Sequence, residues 1–600
     1  MNRDGYTFLR TNHRSFKSRA WLIIGVLFYL CRLNSTKSFI NSENISEFDE
    51  DLYLLSTPGC KIRRLDPFDP DIMKTVKIKP YEPCLPYEEY TRISFEPLSK
   101  KYTLSVKDDF KNLNCSYQKF FKYGDYGEYV SYESPIFFNK NIDIPETIDQ
   151  IYVTCRENFR EIYKNAYALM HYKKTPKPKV SDPISVVIVG IDSISRSSLI
   201  RNMPKTWNYI KSSKHWYHFN GYNRVGAVTY SNVIPLLAGQ RVTDDASSCK
   251  AIDYEGIDDC PFIGNSLEIW DIYDIFEHAT RGFKDPPTDH YLIPFFDLIQ
   301  ERLDIVDNQF CVGYKHGAEY VLDYLIDFVR LYRSSPYFGF FWMNTFSHDD
   351  ANAAFTMDDT VMKYLQSLEH ELKHQNTVVM FLSDHGLRYG PARQAKIALF
   401  EENLPMLNLW LPPSLRNNSI VENITLNTQR LVSTYDVYKT IFHLLEMSKF
   451  DVEDKLLTDC PNCQSILKPI ASIRTCADAG IPSPFCSCND YEAIAVESDF
   501  IISMSREIVM FMNNMKDTHK NGTFSDKCKD LSLGQIKDAH IYKTKIEHDL
   551  SLLTTGEKEF IEEVSKEIKA AESLFISFET DPNKAQFEVI ILHTKILQSL

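Results

Sequence analysis

Asp192 follows the run Ile184–Ile191 (ISVVIVGI) without a gap, and Asp384-His385-Gly386 follows Val378–Ser383 (VVMFLS) in the same manner. Carboxylate oxygens and an imidazole nitrogen are what zinc, manganese or calcium accept, and a glycine beside them lets backbone come close. A single aspartate just past a strand is more often the cap of a following helix. Two strand ends of this kind, one of them carrying His-Gly, point instead to a shared ligand set of Asp192, Asp384 and His385.

Positioning three such groups requires a sheet that delivers several strand ends to one edge. Ile184–Gly190, Tyr337–Trp342, Val378–Leu382 and Leu404–Leu411 are short, nearly continuous apolar runs, the pattern of strands buried on both faces of a parallel sheet. Between them, 318–332 and 359–374 carry apolar residues at helical spacing. Alternating strands and helices specify an α/β fold with a central, mostly parallel sheet flanked by helices, and ligands are expected at the carboxyl ends of the strands.

Six hundred residues exceed one hydrophobic core, so flanking modules are expected. The reading is a cytoplasmic tail or signal n-region (1–19), a signal peptide or signal anchor (20–33), a small strand-rich N-terminal module with disulfides (50–172), the α/β core (180–450), a Cys-rich connector (451–490) and a C-terminal α+β module (491–600). The charged, proline-bearing stretch 172–183 is the linker candidate, and 501–512 and 587–593 are candidate further strands. A net charge of −14 without a basic run argues against nucleic acid as a partner.

Arg10, Arg14, Lys17 and Arg19 precede an apolar run from Ala20 to Cys31, the order of a signal sequence. Arg32 closes the run short of a full membrane span. Both a cleaved signal and a short type II anchor remain open, with the rest of the chain secreted, extracellular or in the Golgi lumen. Fourteen cysteines fit that oxidising compartment. Cys460-x-x-Cys463 raises a zinc ribbon, but Cys486-x-Cys488 fits zinc spacing poorly, so disulfides are expected. Sequons at Asn34, Asn44, Asn114, Asn417, Asn423 and Asn521 would then be glycosylation acceptors.

Taken in order, Gly190–Arg196 (GIDSISR), Val225–Gly239 (VGAVTYSNVIPLLAG), Trp342–Asp350 (WMNTFSHDD), Leu382–Gly386 (LSDHG) and Arg474–Pro482 (RTCADAGIP) resemble a metazoan family of uncharacterised proteins, domain of unknown function 229. That family is similar in fold to sulfatases and alkaline phosphatases, which implies that 180–450 is an alkaline-phosphatase-like core. The resemblance implies that Thr229 is the nucleophile and also a metal ligand with Asp192, Asp384 and His385, and that Asn232 donates to the transferred oxyanion. It implies a second cluster in which Asn344 stands where two-metal relatives carry Asp, His348 contacts the oxyanion or protonates the leaving group, and Lys396 neutralises substrate charge. No Cys or Ser in a C/S-x-P-x-R context lies near Thr229, so formylglycine-based arylsulfatase chemistry is not expected.

The function these residues imply is a metal-dependent extracytoplasmic hydrolase of phosphate or related anionic esters. Its cofactor would be a divalent metal, zinc first, with manganese, magnesium or calcium as alternatives. An N-terminal anchor, if uncleaved, would add a membrane contact. The alternative is a catalytically inactive, sulfatase-like extracellular binding protein. Substrate identity and oligomeric state are not encoded in these motifs.

Overall fold

Every residue of the strand Ser185–Ile191 (β1) is buried, and its side chains alternate between two cores. Val187, Val189 and Ile191 pack on one face of the sheet and Val186 and Ile188 on the other. That two-sided burial explains why the run is continuously apolar rather than alternating. A computed structural model describes residues 52–84, 89–96, 99, 101–110, 113–123, 129–173, 183–241, 288–303, 310–388, 390–395, 397–450, 456–488, 490–518, 529–543, 573–582 and 584–592. The apolar run 20–31 read as a targeting segment, the sequons at Asn34, Asn44 and Asn521, most of the linker candidate, and Lys396 lie outside them.

The chain folds as two units, one drawn from residues up to 63 together with 488 onward, the other from 64–487. In the larger unit, the central elements after β1 are β2 (Trp216–His218), α1 (Thr229–Ala238), α2 (Gly317–Leu331), β3 (Phe338–Met343), α3 (Ala354–Glu371), β4 (Thr377–Leu382) and β5 (Leu407–Trp410). The sheet order is β2-β5-β4-β1-β3. β3, β1 and β4 are mutually parallel, whereas β5 is antiparallel to both β4 and β2. The sheet is therefore mixed: β4, β1 and β3 are contiguous and parallel, and β5, next to them, runs against both of its neighbours. Hydrophobic runs report burial on both faces but carry no direction, which is why Leu404–Leu411 was legible as a strand and its polarity was not.

Helices α2 and α3 cover one face through Val321, Leu325, Val361 and Leu365, and α1 covers the other through Val233, Leu236 and Leu237. Gly190 has a packing reason: a Cβ there would stand 2.0 Å from Trp342 Cε3 on the adjacent strand. Residues 64–173 add antiparallel strands, including Asn114–Tyr123, Gln150–Glu157 and Arg160–Ala168. Cys115 and Cys155 are direct cross-strand neighbours there and form a disulfide.

The smaller unit contains a helix, Asp499–Thr518, and a four-stranded sheet of Asp490–Ala493, Ser532–Lys543, Ser573–Asp581 and Ala585–Leu592, antiparallel throughout. Residues 501–512, a strand candidate in the sequence, belong to that helix. Ile501, Ile508 and Val509 are buried with Met504 and Met512 packed beside them, a spacing of three and four that a strand could not turn to one side. The ten described cysteines form five disulfides: 60–488, 84–311, 115–155, 460–463 and 476–486. Cys460-x-x-Cys463 is thus a bonded pair and not half of a zinc ribbon.

Candidate metal centre

Asp192, Asp384 and His385 each bring one ligand atom to a common point, all within 4.8 Å of one another and all buried. The sheet does this. Ile191 of β1 is level with Met343 of β3, and Gly190 with Leu382 of β4, so the residues just past these strands emerge together at one carboxyl edge. The Asp192 amide donates to Met343 O at 2.8 Å, holding the end of β1 in the sheet for one residue more. Neither aspartate caps a helix: the helix Arg196–Asn202 is capped by Ser195, whose hydroxyl accepts from Ser198 N.

Thr229 opens α1, with Val228 at the N-cap position. Its Oγ1 lies 3.0 Å from Asp192 Oδ2 and 3.4 Å from His385 Nε2. The four residues Asp192, Thr229, Asp384 and His385 therefore converge on one side of the sheet edge. The positive end of the α1 dipole faces the same place, where it favours negative charge.

The imidazole orientation is set by the backbone. His385 Nδ1 is 2.8 Å from Gly386 O, which can only accept, so Nδ1 carries the proton and Nε2 presents its lone pair. That lone pair is 3.1 Å from Asp384 Oδ2. Two electron-rich atoms facing each other in a buried site require a cation between them, a proton or a metal ion. Burial, with the Arg388 guanidinium adding to it, pushes His385 down to about 4, which favours the neutral, ligating imidazole. Burial pushes the Asp384 carboxyl upward, opposed by hydrogen bonds from Thr229 and from the Ser193 amide. A divalent ion beside Asp384 would reverse that upward push, so the donor set fits a metal better than it fits no cation.

Asn232 is bonded to the backbone of its own loop. Its Oδ1 accepts from the amides of Val225 and Gly226 at 2.8 and 3.0 Å, and its Nδ2 donates to Gly226 O and Val228 O at 3.0 and 2.9 Å. Both amide hydrogens are used in bracing the loop that leads into Thr229. Asn344 stands one residue past β3, level with Asp192 past β1, and its carbonyl accepts from the amides of Ser347 and His348. His348 is half-buried, with Nδ1 2.7 Å from Asp349 Oδ1. It is not part of the three-residue ligand group. Glu401, five residues after Lys396, is paired with Arg201 through two guanidinium-to-carboxylate bonds of 2.9 Å.

Several neighbours escaped the sequence reading. Arg224 is bonded to Glu402, and Arg393 NH2 lies 2.8 Å from Glu402 Oε2. Arg224 and Arg388 both donate to Ala227 O, at 3.4 and 3.1 Å, two residues before Thr229. The Glu402 carbonyl in turn accepts from Gly386 N at 2.9 Å. Arg388 is two residues beyond the LSDHG motif and was within its reach, whereas no spacing rule links Arg224 to Glu402 across 178 residues.

Residues 79–537 match the family model described as "Protein of unknown function (DUF229)". The chain belongs to this family. The motif resemblance drawn from the sequence is thereby borne out over three-quarters of this DUF229 member. No curated protein matches it. Among solved structures it is similar to the soluble domain of lipooligosaccharide phosphoethanolamine transferase A from Neisseria meningitidis, at 12% identity over 45% of this chain and 90% of that one, TM-score 0.31. A protein in the alkaline phosphatase superfamily from Vibrio parahaemolyticus gives 10% identity over 49% and 72%, TM-score 0.31. The lipoteichoic acid synthase LtaP from Listeria monocytogenes gives 10% over 52% and 77%, TM-score 0.29. Likeness at this level carries no functional argument, and the chemistry rests on the side chains described above.

Proposed function

We propose that the larger unit is a metal-dependent enzyme of the alkaline-phosphatase/sulfatase type that hydrolyses phosphate or related anionic esters, with Thr229 as the nucleophile. The observation that carries this reading is the convergence of Asp192, Asp384 and His385 on the hydroxyl of a threonine at a helix N-terminus. These three residues would hold a divalent ion, zinc being the first candidate for a set of two carboxylates and one imidazole. Such an ion lowers the pKa of a nearby hydroxyl and neutralises charge on a bound ester.

The chain's own groups supply the rest. Asp192 Oδ2 accepts the Thr229 hydroxyl hydrogen and so orients Oγ1 and offers it a proton acceptor. Attack by Oγ1 on phosphorus would form a Thr229 phosphoester as the bond to the leaving alcohol breaks, and water would then cleave that ester to inorganic phosphate. The α1 N-terminus stabilises the anion at this position, and the guanidinium groups of Arg224 and Arg388 add positive charge close by. Five disulfides favour an oxidising, extracytoplasmic compartment for this chemistry. No helix among the described residues is long and apolar enough to cross a membrane.

A catalytically inactive binding protein is the second reading, favoured by the commitment of Asn232 to its own loop. Turnover separates the two. With zinc, manganese, magnesium or calcium present, the wild type should hydrolyse an aryl phosphate mono- or diester. Thr229→Ala should lower kcat on the order of 10³-fold or more while still binding metal, and Asp384→Asn should lose metal affinity. An inactive wild type that binds metal normally would favour the binding-protein reading.

A further inference from the structure

Ser193 is 2% exposed and holds a left-handed backbone, φ +58°, which is strained for a residue with a Cβ. The conformation has a visible consequence. Three successive amides leave the end of β1 for its two neighbours: Asp192 N goes to Met343 O beyond one side, while Ser193 N reaches Asp384 Oδ1 at 3.2 Å and Ile194 N reaches Ser383 Oγ at 3.0 Å on the other. The Ser193 hydroxyl meanwhile donates to Asp192 Oδ1 at 2.8 Å. One residue therefore holds an oxygen of each carboxylate, Oδ1 in both cases. The two Oδ2 atoms are the ones facing the centre, Asp192 Oδ2 toward Thr229 and Asp384 Oδ2 toward His385 Nε2.

We infer that Ser193 is a positioning residue for the metal, a strap across the two carboxylate ligands that turns one oxygen of each toward a single ion. The inference rests on the metal reading of this site and adds to it a residue that does not itself bind the ion. Carboxylate ligands that are themselves hydrogen-bonded keep their orientation, and loss of such a partner typically weakens metal binding by roughly 10–100-fold.

Cobalt serves as the probe, because its visible absorption reports the ligand geometry independently of any turnover. Ser193→Gly adopts φ +58° without strain and keeps the amide to Asp384, so it removes only the hydroxyl on Asp192. It should bind cobalt roughly 10–100-fold more weakly than wild type and shift the absorption bands, with the metal-free melting temperature unchanged or raised. Ser193→Ala removes the same hydroxyl and keeps the strained Cβ. It should show the same loss of cobalt affinity, and it provides the reading if the glycine variant does not fold. Cobalt affinity and spectrum within twofold of wild type in either folded variant would overturn the role of Ser193 alone. A wild type that takes up no cobalt would overturn the metal reading and this inference together.

Discussion

Gly386 shows how little room the ligand loop has. A Cβ at this position would stand 2.4 Å from Glu401 O, a backbone atom that cannot swing away, while the Gly386 amide donates to Glu402 O. Gly386→Ala should therefore push the loop off residues 401–402, costing about 2 kcal/mol by urea denaturation and moving His385 away from Asp384. A variant as stable as wild type would mean that the loop is looser than its contacts imply. At this scale the sequence was most readable where function is local. Asp192, Asp384 and His385 sit directly after strands, and a strand end is visible in one dimension. The bonds of Asn232 to backbone groups of residues 225–228 were not legible, because a looped-back chain leaves no periodic trace. Ser193 was passed over because its role depends on a positive φ, which serine does not advertise.

Strands and helices were legible to within a few residues wherever burial repeats with a fixed period. Helix α3 begins at Ala354, earlier than its charged middle had indicated, because Asp350 caps the turn ahead of it by accepting from Asn352 N. What periodicity hides is direction, and ionisation inside an element. Asp327 lies on α2 and accepts from Tyr102 OH at 3.2 Å. Burial pushes its carboxyl up to about 6. The folded chain thus holds this proton more tightly than the unfolded chain, whose aspartate titrates near 3.8. The stabilisation from protonation is present below pH 3.8 and is lost as pH rises through about 6. Asp327→Asn cannot ionise, so it should stabilise the protein by about 3 kcal/mol at pH 7.5 and by only about 0.5 kcal/mol at pH 4. Denaturation at both pH values checks this, and an equal effect at the two would assign the change to packing instead.

Across the whole molecule, the α/β core and the oxidised cysteines were readable because composition and burial report them directly. The pairing of Cys60 with Cys488, 428 residues apart, and the two-unit division were not, since both depend on which distant segments fold together. The candidate metal centre also joins distant residues, 192, 229, 384 and 385, but each stands at a strand or helix end that the sequence marks. Its occupancy is the claim on which the proposed chemistry depends. Native mass spectrometry of the full chain, expressed through an oxidising compartment and saturated with zinc, measures it directly. The wild type should carry at least one divalent ion per chain, and Asp192→Ala combined with His385→Ala should lose one while the five disulfides remain. A wild type that stays free of metal, or a double variant that keeps the same number of ions, would contradict a metal centre at this edge of the sheet.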